Sequence, residues 1–321
     1  MTSKLFNSKW PIVEAAMNMA SNKNLALAVS EAGGFPSLAT IPAFTHVPRL
    51  LNSSLPSKAI DFDPMYFEIT DFIKSNGSAD VIVPMSAAWL LDTSFLKLVK
   101  DVKISHWEIF PRWQDDQICS SELIMDDLIY QGVKYVKKYS KVLGRILAPV
   151  IDHPRIDIFD GIEVKGSDSA GGRGFKSCQE TFDQQIKHSK IVIPYGGIGT
   201  PQQVKEYIQK GAPAVGVGTL FALCEESPLN FDVKMEMINQ GISNITVVKG
   251  GENTNLEQNA ILLNSNIKTD GSDNKGNHTD DLLTGMYGDG NHGLVFAGHG
   301  IKHVTAIRTV RETMEYLTSE L

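Results

Sequence analysis

The sequence predicts an α/β fold: a closed (β/α)8 barrel of the TIM type with a C-terminal extension near its active-site rim. Three observations carry that expectation. Short apolar runs alternate with amphipathic stretches from residue 11 to about 224, and such alternation builds a parallel sheet. The series holds seven or eight strand candidates before residue 220, a number that suits a barrel better than an open sheet. Glycine-rich segments end three successive late strands: SDSAGGRGF (167–175), YGGIG (195–199) and VGVGT (215–219).

The elements follow in order. PIVEAAM (11–17) is expected as a buried strand, and NLALAVSEAGG (24–34) as a helix stopped by its glycine pair. FPSLAT (35–40) is a second strand and KAIDFD (58–63) a weaker one. MYFEITDFIKSNG (65–77) is a helix closed by Asn76-Gly77. ADVIVPM (79–85) and ISHWEIF (104–110) are strands around a short helix, FLKLVKD (95–101). ICSSELIMDDLIYQGVKYVKKYS (118–140) carries the longest helical pattern. DGIEVKG (160–166), KIVIPYGG (190–197) and APAVGVGT (212–219) are strands, alternating with helices at 177–189 and 200–211. Thr200 is the N-cap of the latter and Pro201 its first residue. The series breaks over residues 225–292, so the expected division is a barrel of 1–224 and 293–321 with 225–292 as an extension. Within it FDVKMEMINQG is helical and the polar TDGSDNKGNHTDD (269–281) is expected as a mobile loop. VTAIRTVRETMEYLTSEL (304–321) closes the chain as an amphipathic helix.

Composition narrows the function classes. The chain has 321 residues, 42% hydrophobic and 21% charged, enough for a large core. Net charge is -7 with no long Lys/Arg run, which argues against a nucleic-acid partner. Cys119, Cys178 and Cys224 form no CxxC pair, so neither a zinc site nor a disulfide framework is indicated. Reduced thiols fit a cytoplasmic location. The N-terminal segment lacks a signal-peptide core. No stretch approaches the ~20 apolar residues of a membrane span. The histidines, among them His106, His153, His292 and His299, show no metal-ligand spacing, so no metal is expected. Asp152 and the run Asp157–Asp160 offer acid pairs that nothing orients.

The late strand ends carry the chemistry. In a barrel, Gly196, Gly197 and Gly199, then Gly216, Gly218 and Thr219, fall in the loops after strands seven and eight, the usual phosphate position of the fold. Amides at a helix start bind an anion without a lysine, and glycines let it approach. SDSAGGRGF lies at the preceding strand end, so three neighbouring ends offer small residues to a flat ligand with a phosphate tail. Lys165 is placed to stabilise negative charge on a ring, or else to pair with Glu163 on the same strand face. Arg173 cannot act as a base. It would hold a carboxylate, a phosphate or a reduced anionic ring, or bridge to an acidic loop.

With those segments in hand, the sequence resembles the nitronate monooxygenase family, the 2-nitropropane dioxygenase-like proteins, and the related flavin-dependent enoyl-carrier-protein reductases. PIVEAAM with LALAVSEAGG, VKGSDSAGGRG, FDVKMEMI and VFAGHGIKHVTAIRTVRETMEYL carry the resemblance. IPYGGIGTPQQVKEYIQKGAPAVGVGTLFALCEES carries it most strongly. Residues 40–155 match poorly. The resemblance implies a TIM barrel that binds FMN non-covalently at its C-terminal rim. It places Ala15, Ala16 and Met17 against the flavin and Lys165 near the ring. Gly171, Gly172, Gly196, Gly197, Gly216, Val217, Gly218 and Thr219 would hold the cofactor and its phosphate. Two departures stand out. The family motif ends Gly-Gly-His, and that histidine is its usual base; here Arg173 occupies the place. SDSAGG is also one residue longer than the family pattern. The activity implied is oxidation of a small carbon acid with oxygen, with Arg173 and Lys165 as catalytic candidates. NAD(P)H-dependent enoyl reduction, with an acyl carrier as partner, and a flavin-binding protein that lost catalysis remain as alternatives.

Overall fold

In the computed structural model, residues 5–17, 20–39, 61–110, 127–149, 155–189, 191–249, 257–263, 269 and 279–321 are described. Seven parallel strands form one sheet: β1 (Ile12–Glu14), β2 (Ile82–Ser86), β3 (His106–Phe110), β4 (Lys141–Ile146), β5 (Gly161–Lys165), β7 (Val192–Tyr195) and β8 (Val215–Val217). Their order is β1-β8-β7-β5-β4-β3-β2. The two ends meet through a segment of the second predicted strand. Phe35 bridges to Val13 and Ser37 to Ile82, both in parallel. The sheet therefore curls round on itself, as the (β/α)8 expectation requires.

Period-two alternation sorts the side chains. Val13, Phe35, Ile82, Leu143, Ile193 and Ala214 pack together inside the curl, with Leu5 and Phe6 of the N-terminal segment in the same cluster. Lys141 and His106 both reach the carbonyl of Leu5, so this segment plugs the end opposite the glycine-rich loops. Ile12, Val83, Trp107, Val142, Val164 and Val215 belong to a second, larger cluster with the helices. These are α1 (Lys23–Glu31), α2 (Asp63–Asn76), α3 (Thr93–Val102), α4 (Asp127–Val136), α5 (Cys178–Gln185), α6 (Pro201–Gln209) and, near the C-terminus, α10 (Val310–Thr318). Capping boxes start three of them, Ser177 with Glu180, Thr200 with Gln203, and Thr309 with Glu312.

Several elements differ from expectation. The described part of the 58–63 strand is absent, because α2 begins at Asp63 with Pro64 in its first turn, where its fixed φ and missing N–H are tolerated. Residues 58–60 and 118–126 lie outside the described residues, as do 152, 153 and 270–278. β4 was not foreseen: Lys141, Gly144 and Arg145 interrupt its apolar pattern. Gly144 is there because the Phe159 ring occupies the space of a side chain; a Cβ would meet it at 2.7 Å. The last helix starts at Val310 rather than 304, since Thr309 caps it.

Residues after 225 add a second layer. α7 (Thr219–Ala222) and α8 (Phe231–Gln240) follow β8, and then come β9 (Ile245–Lys249), β10 (Glu257–Leu262), α9 (Thr279–Tyr287) and β11 (Leu294–Phe296). β10 pairs antiparallel with β9, with β11 and with β6 (Gly171–Gly172). Sequence reading missed these strands. The Gly-Gly strand β6 has no side chains to pattern, and β10 mixes Glu257, Gln258 and Asn259 into its run. Leu223, Val233, Met237, Val248, Ile261 and Leu294 give this layer its own core.

Candidate active site

The C-terminal ends of the strands surround a cavity of about 200 Å³. One wall is the β1 loop, Ala15, Ala16 and Met17. Another is Ser169 to Gly172, and a third is Tyr195 to Ile198 with Gly216, Gly218 and Thr219. Gln258, Val295, Phe296, Gly298 and Gly300 come from the second layer. Arg145 and Lys165 reach the cavity from below. The structure thus gathers the predicted residues from 15–17, 165, 171–172, 196–197, 216 and 218–219. Val217 and Arg173 do not line it. Val217 turns outward into the helix-facing core. Arg173 follows β6; its backbone N–H donates to the Glu257 carbonyl at 3.0 Å and its guanidinium lies 3.8 Å from the Glu257 carboxylate.

The available amides are not those at the start of α6. The N–H groups of Gly199 and Thr200 both donate to Gln203 Oε1, at 2.9 and 3.2 Å, so α6 caps itself. The amides of Gly197, Ile198, Gly218 and Thr219 make no hydrogen bond to the protein among the described residues. Four unbonded donors on two adjacent loops make a candidate anion seat. Gly197 has φ +64, and a Cβ there would stand 2.8 Å from Asp168 Oδ2. That position needs glycine for its backbone and for the close approach of the 168–169 turn. The turn at 298–303 closes behind the seat: Gly300 lies against Ile198, and His303 against Gly199.

Beneath the cavity the curl is filled by charge. Arg145 pairs with Glu108 on one side and approaches Glu163 at 3.4 Å on the other. Burial works against its charge, and the two carboxylates outweigh burial. Burial pushes Glu163 up to about 8, and neighbouring Glu108 adds to the shift. Tyr195 lies beside Glu163. Burial, then that carboxyl, raises its hydroxyl well above the usual phenol range. The Tyr195 hydroxyl and Glu163 Oε1 are close enough to influence each other, yet neither is in hydrogen-bonding geometry. Lys165, the last residue of β5, donates to the Ala170 carbonyl at 2.9 Å. Burial, then Arg145, pushes its amine down to about 7. The expected Glu163–Lys165 pair is therefore replaced: Glu163 faces Arg145, and Lys165 holds the loop. Sequence reading missed Arg145, Tyr195 and Ser169; the two-residue period back from Lys165 on β5 pointed only to Glu163.

His106 is deep in the curl, between Phe6 and Phe35, and burial takes it down to about 3. It is a packing residue. No cluster of three or more metal-ligating side chains occurs among the described residues. No helix among them is long and apolar enough to cross a membrane.

These features define a class: a barrel with a candidate anion seat at its last two strand ends, a small-residue wall, and Arg145 and Lys165 beneath. The chain belongs to the nitronate monooxygenase family, whose model matches residues 155–320, just over half of it. It is accordingly a flavin-dependent oxidoreductase at family level, and enzymes of this family act on small molecules. No curated protein sequence gives a significant match. Among solved structures, FabK from Thermotoga maritima superposes with a TM-score of 0.72 at 16% identity, over 99% of this chain and 94% of that one. A nitroalkane oxidase from Streptomyces ansochromogenes gives 0.71 at 16%, over 98% and 96%. The enoyl reductase domain of MlnA from Bacillus amyloliquefaciens gives 0.65 at 11%, over 98% and 94%. At such identities these similarities bear on the fold.

Proposed function

We propose that the chain is an FMN-dependent oxidoreductase of the nitronate monooxygenase type, oxidising a small carbon acid with oxygen. The observation that carries this is the row of unbonded amides at 197, 198, 218 and 219 facing a wall of Ala15, Ala16 and Met17. The residues fit a flavin. The amides would hold its phosphate, the β1 loop and Gly171–Gly172 would flank the ring, and Lys165 and Arg145 would lie beneath it. When bound, the flavin supplies the electron acceptor. A monophosphate is favoured over a dinucleotide because the 298–303 turn closes behind the seat. In this reading residues 225–292 are an extension that walls the site. The place of action is the cytoplasm, in keeping with the free, buried thiols Cys178 and Cys224.

A second reading is NAD(P)H-dependent enoyl reduction. Supporting it are the similarity to a FabK and to an enoyl reductase domain and the cationic Arg173 outside the cavity, where a carrier or nicotinamide phosphate would approach. The visible spectrum of the purified protein tests both. Oxidised-flavin bands that denaturation releases as FMN are expected; a colourless protein that binds no FMN overturns both. Anaerobic mixing with NAD(P)H then separates them, since rapid bleaching marks a reductase. A flavin that responds to neither NAD(P)H nor any carbon acid would mark a binding protein without catalysis.

A further inference from the structure

Three ionisable side chains line the cavity among the described residues: Arg145, Lys165 and Tyr195. Arginine does not give up its proton, and Arg145 is pinned between Glu108 and Glu163. Tyr195 holds its proton because burial and the same carboxylates oppose a phenolate. Lys165 differs from both. It stands at the end of β5 in register with Tyr195, and the Ala170 carbonyl is its single hydrogen-bond partner among the described residues. A carbonyl accepts from an amine and from an ammonium alike, so that bond survives either state.

We propose that Lys165 is the proton donor and acceptor of this cavity, a catalytic residue that takes a proton from a bound carbon acid and returns it in the reverse step. The proposal rests on reading the cavity as a carbon-acid site. In the forward step a substrate C–H bond breaks and an N–H bond forms on Nζ. The electron pair stays on the substrate carbon, and Lys165 becomes an ammonium beside the resulting carbanion. No oxidant is consumed in this step. Arg173 takes no part, because it faces Glu257 rather than the cavity.

The surroundings set which form of Lys165 is present. Burial and Arg145 on β4 favour the neutral amine, bringing it to about 7. Glu108 on β3 and Glu163 on β5 pull the other way. Cys178 on α5 also faces it, with its own thiol pushed up by burial. A base poised near neutrality suits proton transfer from carbon. Ordinary lysines near 10.4 would be protonated almost throughout.

The test has two arms. In protein labelled with ¹³C,¹⁵N-lysine, with and without FMN, one side-chain signal should titrate near 7 and vanish in Lys165→Arg. If every lysine titrates near 10 the proposal falls. In the second arm, exchange of the α-hydrogens of nitroethane with deuterated water is followed by NMR. Lys165→Met should slow it by roughly 100-fold or more. Circular dichroism confirms that the variants fold. Exchange that is absent from the native protein, or unchanged in Lys165→Met, overturns the proposal. A protein that keeps the lysine titration but binds no flavin overturns the cofactor assignment alone.

Discussion

A Cβ on Gly216 would lie 2.3 Å from Cδ1 and Cε1 of Tyr195, its register partner on the neighbouring strand. The hydrogen of Gly216 is what lets the phenol lie across the barrel interior. Tyr195 is buried in the interior cluster, so Gly216→Ala should destabilise the protein by about 1–3 kcal/mol, the usual cost of overpacking. Urea unfolding measures it. Tyr195→Phe in the same background leaves the ring and should not relieve the loss.

Gly197→Ala places a side chain in left-handed backbone and against Asp168 Oδ2. The backbone term alone costs about 1–2 kcal/mol. Because the Gly197 amide would serve the anion seat, FMN affinity should fall tenfold or more. Fluorescence titration of the apoprotein with FMN reads this. An unchanged affinity would remove Gly197 from the seat.

Arg145→Met strands Glu108 and Glu163 together without their counter-charge. Breaking a buried pair by removing one partner typically costs about 3–5 kcal/mol. The loss should be smaller at pH 5 than at pH 8, since Glu163 is protonated well below about 8 even with Arg145 present. Denaturant midpoints at the two pH values check this.

Glu14 is wholly buried on β1, and burial pushes it up to about 8 from 4.5. The folded protein keeps that proton, whereas the unfolded chain releases it above about 4.5. Stability from this group is therefore full at low pH and is lost as pH rises from about 4.5 to 8. Glu14→Gln keeps an acceptor for the Ser37 N–H and removes the ionisation. Its stability relative to the native protein should improve by about 2–4 kcal/mol between pH 5 and pH 8. A constant difference would show that Glu14 ionises freely in the folded state.

Local patterns made the barrel legible. Runs such as VIVPM and IVIPY carry their own apolar signal, and Thr200-Pro201 and Asn76-Gly77 mark helix ends by their own chemistry. The glycine loops were legible too, though two of their roles differ from the expected ones. Gly216 makes room for Tyr195, and the amides at the start of α6 are already taken by Gln203. What stayed hidden depends on distant partners. Arg145 interrupts an apolar strand, and its place becomes intelligible only beside Glu108 and Glu163. β6 is two glycines whose strand character comes wholly from β10, some 85 residues later. Arg173 was expected at the site because of its neighbours in sequence, yet its partner, Glu257, lies in the other layer.

The pairing of Gly171–Gly172 with Gln258 and Asn259 also orders events in time. A chain emerging from the ribosome has all its barrel strands once Val217 is out, but one wall of the pocket still waits for β10 and β11. Binding competence should thus appear only late in synthesis, after Phe296 has cleared the exit tunnel.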